Sequence, residues 1–180
     1  MLLQRDRSIL VVVDVQTALL PVIPAASQVL ERIGVLIQAA RRVQVPILVT
    51  EENPAGLGAT VPEIAGLVPP DATIRKMAFN AAAETGFMRR FAASGRGQAV
   101  LCGVEAHVCV LQTALGLRAA GQAVFVASDA VASRVAESQA IALARLGTEG
   151  VRIVTTEMVV FEWAENAEDP AFRDLLALVK

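Results

Sequence analysis

The sequence predicts an α/β protein, a three-layer αβα sandwich around a six-stranded parallel sheet. Short apolar runs alternate with amphipathic helical stretches along the chain, the signature of repeated βαβ units. The first run, Ser8-Ile-Leu-Val-Val-Val-Asp14, is continuously apolar, as a parallel strand covered on both faces must be. Hydrophobic residues make up 54% of the 180. That suits one domain, residues 1–180, whose strands and helices are buried on more than one side.

Each element follows in order. After the first strand, a helix from about Ala25 to Val43 sets Val29, Ile33, Leu36, Ile37 and Ala40 on one face. Val45–Thr50 reads as strand two, with Pro46 near its start, where a missing N–H is tolerated. Glu51–Pro70, punctuated by Pro54, Gly56, Gly58, Pro62 and Gly66, reads as a long functional loop with one helical turn near Val61–Leu67. Asp71–Lys76 is a short third strand, Ala81–Ala93 a helix, and Gln98–Gly103 strand four. Helix Val108–Ala120, strand Gln122–Ser128, helix Val135–Leu146 and strand Val151–Thr155 follow, with two short helical pieces at the end. The stretch after Asp14, Val-Gln-Thr-Ala-Leu-Leu-Pro, has no glycine, so a dinucleotide fingerprint is missing and no nicotinamide cofactor is expected.

Charge and composition narrow the classes further. Sixteen basic residues against eighteen acidic ones give a net charge of −2. Pairs such as Arg41–Arg42 and Arg89–Arg90 read as solvated helix faces, not as a nucleic-acid footprint. No apolar run is long enough to cross a bilayer, and Gln4-Arg5-Asp6-Arg7 interrupts any secretory pattern, so a cytoplasmic location is expected. The two cysteines are then expected as free thiols. One histidine and two cysteines without ligand spacing leave no zinc site, so no metal is expected.

Ligands of an open parallel sheet bind beyond the carboxyl ends of its strands. Asp14, Thr50, Glu51, Arg75, Lys76, the segment Gly103–Cys109, Ser128 and Asp129 fall there. Cys109 lies near the start of a helix, where unpaired N–H groups favour a thiolate and can bring a thiol from about 8.5 to roughly 3.5–7.5. Cys102 sits within an apolar strand and reads as inert. His107 is two positions from Cys109, a spacing that does not meet on a helix, so a base for Cys109 must come from elsewhere. Asp14 is the best placed, although a helix cap or a solvated strand end explains it equally well. Lys76 is either a surface charge or, beside a thiolate and a carboxylate, the cation that keeps both ionised.

These segments also carry a resemblance. Val11-Val-Val-Asp-Val-Gln16, Lys76-Met-Ala-Phe79, Leu101-Cys-Gly-Val-Glu-Ala-His-Val-Cys-Val110 and Ala127-Ser-Asp-Ala-Val-Ala-Ser-Arg134 resemble the isochorismatase-like hydrolase superfamily in order and spacing. Val49-Thr-Glu-Glu-Asn-Pro-Ala-Gly-Leu-Gly-Ala-Thr-Val-Pro-Glu63 is most similar to its isochorismatase domain-containing group. The resemblance implies a Cys-Asp-Lys catalytic set, carried onto Cys109, Asp14 and Lys76. It implies a small-molecule substrate cleaved at a C–N bond through a covalent intermediate, and an oxyanion hole from the N–H groups of Glu105 and Cys109. It further implies a cis Val104–Glu105 peptide bond and a homo-oligomer of two or more copies. Gln16, Glu52, Phe79 and His107 are the expected substrate-pocket residues. Nicotinamidase-type members place metal-binding histidines after strand two; this chain has Glu51-Glu-Asn-Pro there, so that activity is not expected. A non-catalytic scaffold or a thiol-based redox sensor on the same fold is the competing reading.

Overall fold

The computed structural model describes residues 1–24 and 26–180; Ala25, where the first helix is expected to begin, lies outside the described residues. Among the described residues, β1 (Ser8–Val13), β2 (Ile47–Glu52), β3 (Thr73–Lys76), β4 (Gln98–Val104), β5 (Ala123–Ala132) and β6 (Arg152–Val154) form one parallel sheet in the order β3-β2-β1-β4-β5-β6. The α/β class and the six parallel strands are as the sequence predicts. The helices are α1 (Ala26–Arg42), α2 (Pro54–Leu57), α3 (Pro62–Ala65), α4 (Thr85–Ala93), α5 (Leu111–Ala119), α6 (Ala136–Thr148), α7 (Thr156–Ala164) and α8 (Phe172–Val179).

The central strand explains its own composition. All six residues of β1 are buried. Leu10 and Val12 enter the core shared with α1, α7 and α8, while Ile9, Val11 and Val13 enter the opposite core with α4, α5 and α6. A strand with helices on both faces has no solvent side, hence no alternation to read. In α1, Val29, Ile33, Leu36, Ile37 and Ala40 are all buried, the face its periodicity marks. Among the described residues no helix is long and apolar enough to cross a membrane.

Several boundaries differ, each for a local reason. Glu51 and Glu52 continue β2 because they pair with Arg75 and Lys76 of β3. The expected loop after them contains two short helices, α2 and α3, each with proline in its first turn, where proline needs no N–H partner. The expected helix Ala81–Ala93 is a 3-10 turn at Ala81–Ala83 followed by α4. Glu84 is extended between them, and its carboxylate accepts the N–H groups of Met77 (3.0 Å) and Ala78 (3.1 Å). β5 does not stop at Ser128. Its register against β4 jumps from Leu101–Val126 to Gly103–Val131, so a bulge carries it on to Ala132. The polar Asp129 that suggested an end instead accepts the Thr156 N–H (2.8 Å) and hydroxyl (3.0 Å).

The order of successive strands reverses between β1 and β4. β2 and β3 lie to one side of that pair, β5 and β6 to the other. In doubly wound folds this switch point opens the crevice that binds ligand.

Candidate active site

At the switch point Val13 of β1 pairs with Thr50 of β2 and Gly103 of β4. Gly103 has φ +118, and a Cβ there would stand 2.0 Å from the Val13 carbonyl oxygen. Only glycine lets these strands approach so closely, and the approach brings the Cys109 segment beside Asp14. Asp14 itself adopts the left-handed region, φ 51, which aspartate tolerates better than most residues, and leaves the sheet there. Its N–H still donates to the Thr50 carbonyl at 3.1 Å.

Three of the expected residues come together. The Lys76 ammonium lies 2.7 Å from Asp14 Oδ2, and both side chains are fully buried. One carboxylate oxygen each from Asp14 and Glu52, with the Cys109 sulfur, lie within 4.8 Å of one another. Lys76 is thus no surface charge. It bridges two carboxylates, because Glu52 Oε2 is also 2.7 Å from its Nζ. Burial works against the ammonium, but Asp14 and then Glu52 outweigh it and hold Lys76 above the ordinary lysine value. A divalent ion could use the spacing of Asp14, Glu52 and Cys109, yet Lys76 already supplies the positive charge between the carboxylates.

Cys109 departs from expectation. It lies not in the first turn of an ordinary helix but in a π turn, Ala106–Val110, that leads into α5. Burial pushes its thiol up, Asp14 adds to this, and Lys76 opposes them without prevailing. Burial of the turn thus works against the thiolate that a helix start favours. Cys102 is fully buried and burial pushes it up as well, consistent with an inert strand residue.

The remaining expected residues divide. Glu52 belongs to the cluster. Gln16 is fully buried and its amide is consumed: Oε1 accepts the Glu52 N–H (2.8 Å), and Nε2 donates to the Glu52 (2.9 Å) and Gly58 (2.7 Å) carbonyls. It holds Glu52 in place. Phe79 is half exposed. His107 does not meet Cys109; its Nδ1 pairs with the Ser133 hydroxyl at 2.9 Å. Glu105 follows the Val104–Glu105 bond, which is cis, and its carboxylate accepts the Arg134 N–H at 3.0 Å. Glu105 and His107 thus tie the turn bearing Cys109 to the segment after β5. A cavity of about 320 Å³ beside the cluster is lined by Asn53, Pro54, Ala55, Arg75, Lys76, Met77 and Glu84.

Two contributors have no role in the sequence reading. Thr50 donates its hydroxyl to Asp14 Oδ1 at 2.6 Å, leaving Oδ2 for Lys76 and the thiol. Ser133 orients His107. Thr50 was findable as the strand-end residue in register with Val13; Ser133 had no local signal.

Comparison with known proteins identifies the family and the fold. The isochorismatase domain family matches residues 8–158. Isochorismatase domain-containing protein 2 of Danio rerio is 34% identical over 174 residues, covering 96% of this chain and 86% of the relative. The structure of the MAR1 ribonuclease from Caenorhabditis elegans superposes with a TM-score of 0.93 at 29% identity, covering 99% of this chain and 92% of that one. The YcaC gene product of Escherichia coli, an octameric hydrolase of unknown specificity, superposes with a TM-score of 0.88 at 25% identity over 99% and 87%. By domain match, identity and fold, this chain belongs to the isochorismatase family of hydrolases.

Proposed function

We propose that the protein is a metal-independent cysteine hydrolase that opens a C–N bond of a small molecule, with Cys109 as nucleophile, Asp14 as proton carrier and Lys76 as the cation that supports both. The observation that carries this reading is the buried bridge of Lys76 to Asp14 and Glu52, each of which brings a carboxylate oxygen within 4.8 Å of the Cys109 sulfur. The thiol proton passes to Asp14 Oδ2 as the sulfur attacks an amide-type carbonyl carbon. The tetrahedral intermediate collapses, and the leaving nitrogen takes the proton back from Asp14. Water then attacks the thioester, Asp14 accepts a proton from it, and that proton returns to the departing sulfur. N–H groups of Glu105 and Cys109 steady the developing oxyanion, a contribution of about 2.7–4 kcal/mol per donor in other enzymes.

The raised thiol disfavours the redox-sensor alternative, since peroxide reacts with thiolates. It suits an enzyme that forms the thiolate only when a substrate is in place. A polynucleotide substrate, which the name of the nematode relative attaches to that protein, calls for a basic track along the phosphates. This chain carries a net charge of −2.

The octameric state of the E. coli relative and the exposed Val135, Ile141, Met158 and Phe161 on and beside α6 and α7 support a homo-oligomer here too. The test of the chemistry is turnover of a panel of small amides, ureido compounds and esters by the wild-type chain and by Cys109→Ser. Hydrolysis of an amide that disappears in Cys109→Ser supports the proposal; turnover that survives the substitution rejects it.

A further inference from the structure

The charges of the cluster do not balance. Asp14 and Glu52 are two buried carboxylates, and Lys76 is the one cation that pairs with either of them among the described residues. Moving the thiol proton to Asp14 leaves the sum unchanged: a thiolate and Glu52 then face one ammonium. Counted formally, the site holds two carboxylates against one ammonium.

Among the described residues no second cation pairs with either carboxylate. Glu51, next in the strand, turns its carboxylate to the N–H and hydroxyl of Thr60 (2.8 and 2.9 Å). Glu105 pairs weakly with the exposed Arg134 at 3.7 Å. At the rim Glu84 adds a further carboxylate, which feels the charge of Lys76. Arg75 lines the adjoining cavity but is exposed, and among the described residues it pairs with neither carboxylate.

Glu52 is also built to stay where it is. Its main-chain N–H and carbonyl are both held by Gln16, and Lys76 holds Oε2. Among the described residues no hydrogen bond engages Oε1, and the side chain keeps 7% exposure, more than Asp14 or Lys76. A fixed carboxylate with one free oxygen is an acceptor waiting for a donor.

We propose that Glu52 makes the site reject anions and accept N–H donors, so that the substrate presents a neutral or cationic nitrogen group, of the primary amide, ureido or amidine class, and carries no carboxylate beside the carbon that Cys109 attacks. This rests on the hydrolase reading above and narrows it. Glu52 Oε1 accepts the substrate N–H, aligning the carbonyl carbon over the sulfur. A substrate carboxylate in the same place meets like charge at short range in a site shielded from water, where repulsion is strong.

Three small alkylating reagents test the charge selection without any knowledge of the substrate: neutral iodoacetamide, anionic iodoacetate and cationic 2-bromoethylammonium. The rate at Cys109, read by mass spectrometry of the folded chain, is divided by the rate of each reagent with a free small-molecule thiol at the same pH. Iodoacetate is expected to fall behind iodoacetamide by about tenfold or more. Glu52→Gln, which retains an oxygen for Lys76, is expected to close most of that gap and to slow the cationic reagent, while Glu63→Gln on the exposed face of α3 changes neither ratio. Equal normalised rates for iodoacetamide and iodoacetate in the wild-type chain overturn the charge selection and leave the hydrolase reading standing. That comparison holds even if the Gln variant does not fold. Failure of all three reagents to modify Cys109 overturns both, because a thiol that no small electrophile reaches is no nucleophile.

Discussion

Lys76 carries the electrostatics of the site on one nitrogen. Removing it leaves Asp14 and Glu52 facing each other, buried, with no cation between them. Breaking a buried pair on one side typically costs about 3–5 kcal/mol. Lys76→Met should lose stability of that order in chemical denaturation, and adding Glu52→Gln should restore part of it; a loss below about 1 kcal/mol contradicts the bridge. The thiols make a second claim. Burial pushes Cys102 and Cys109 up from the ordinary value of 9.0, and Lys76 is held above 10.5. All three keep protons in the folded chain that the unfolded chain gives up, so their stabilisation is complete below pH 9.0 and drains away above it. Denaturation midpoints should therefore fall between about pH 9 and 11, less steeply in Cys102→Ala. A midpoint that climbs through that window contradicts the burial argument. Asp14, Lys76 and Cys109 were candidates in the sequence because each lies where a strand ends or just beyond, and the family resemblance singled them out. The second carboxylate on Lys76 was not, because pairing of β2 with β3 is a long-range fact. Nor was the raised thiol, since burial of Cys109 depends on how the turn packs.

Strands and turns show why some boundaries were readable and others were not. β1 and α1 follow from composition alone, since a doubly covered strand and an amphipathic helix leave their own patterns. The β5 bulge and the π turn at Cys109 are accompanied by side-chain bonds to segments more than twenty residues away, and the break at Glu84 by bonds to Met77 and Ala78, none of which the hydrophobic pattern reveals. Gly103 is where local and distant demands meet. An Ala there needs φ +118 and a Cβ 2.0 Å from a neighbouring carbonyl, so β1 and β4 would have to part. Gly103→Ala should destabilise the chain beyond the ~3 kcal/mol that bounds most single substitutions, measured by thermal or urea unfolding. Gly86→Ala in α4, where nothing lies within 4 Å of the added carbon, should leave stability unchanged or raise it slightly. Equal behaviour of the two variants refutes the close approach at the switch point.

The assembled sheet explains why one crevice gathers residues from four strands' ends. β1, β2, β3 and the segment after β4 each deliver one side chain, from Asp14 through to Cys109, and the reversal of strand order places them together. Strand–helix alternation implied a parallel sheet, but the order β3-β2-β1-β4-β5-β6 and the ends that converge needed the register. On the outside, Val135, Ile141, Met158 and Phe161 remain exposed. Light scattering at micromolar concentration should return a mass that is a multiple of the chain's, and charged replacements at Ile141 and Phe161 should lower it. A monomer mass for the unmodified chain contradicts the proposed assembly.

The claim on which the rest depends is that Cys109 becomes covalently bonded to the substrate carbon. Once an amide is found to turn over, acid quenching during steady state followed by intact-mass and peptide analysis reads this directly. The account predicts an added acyl mass on the peptide containing Cys109, absent from Cys109→Ser and diminished in Asp14→Asn, which lacks the proton carrier for the acylating step. Turnover with no adduct at any time, or an adduct confined to Cys102, would contradict it.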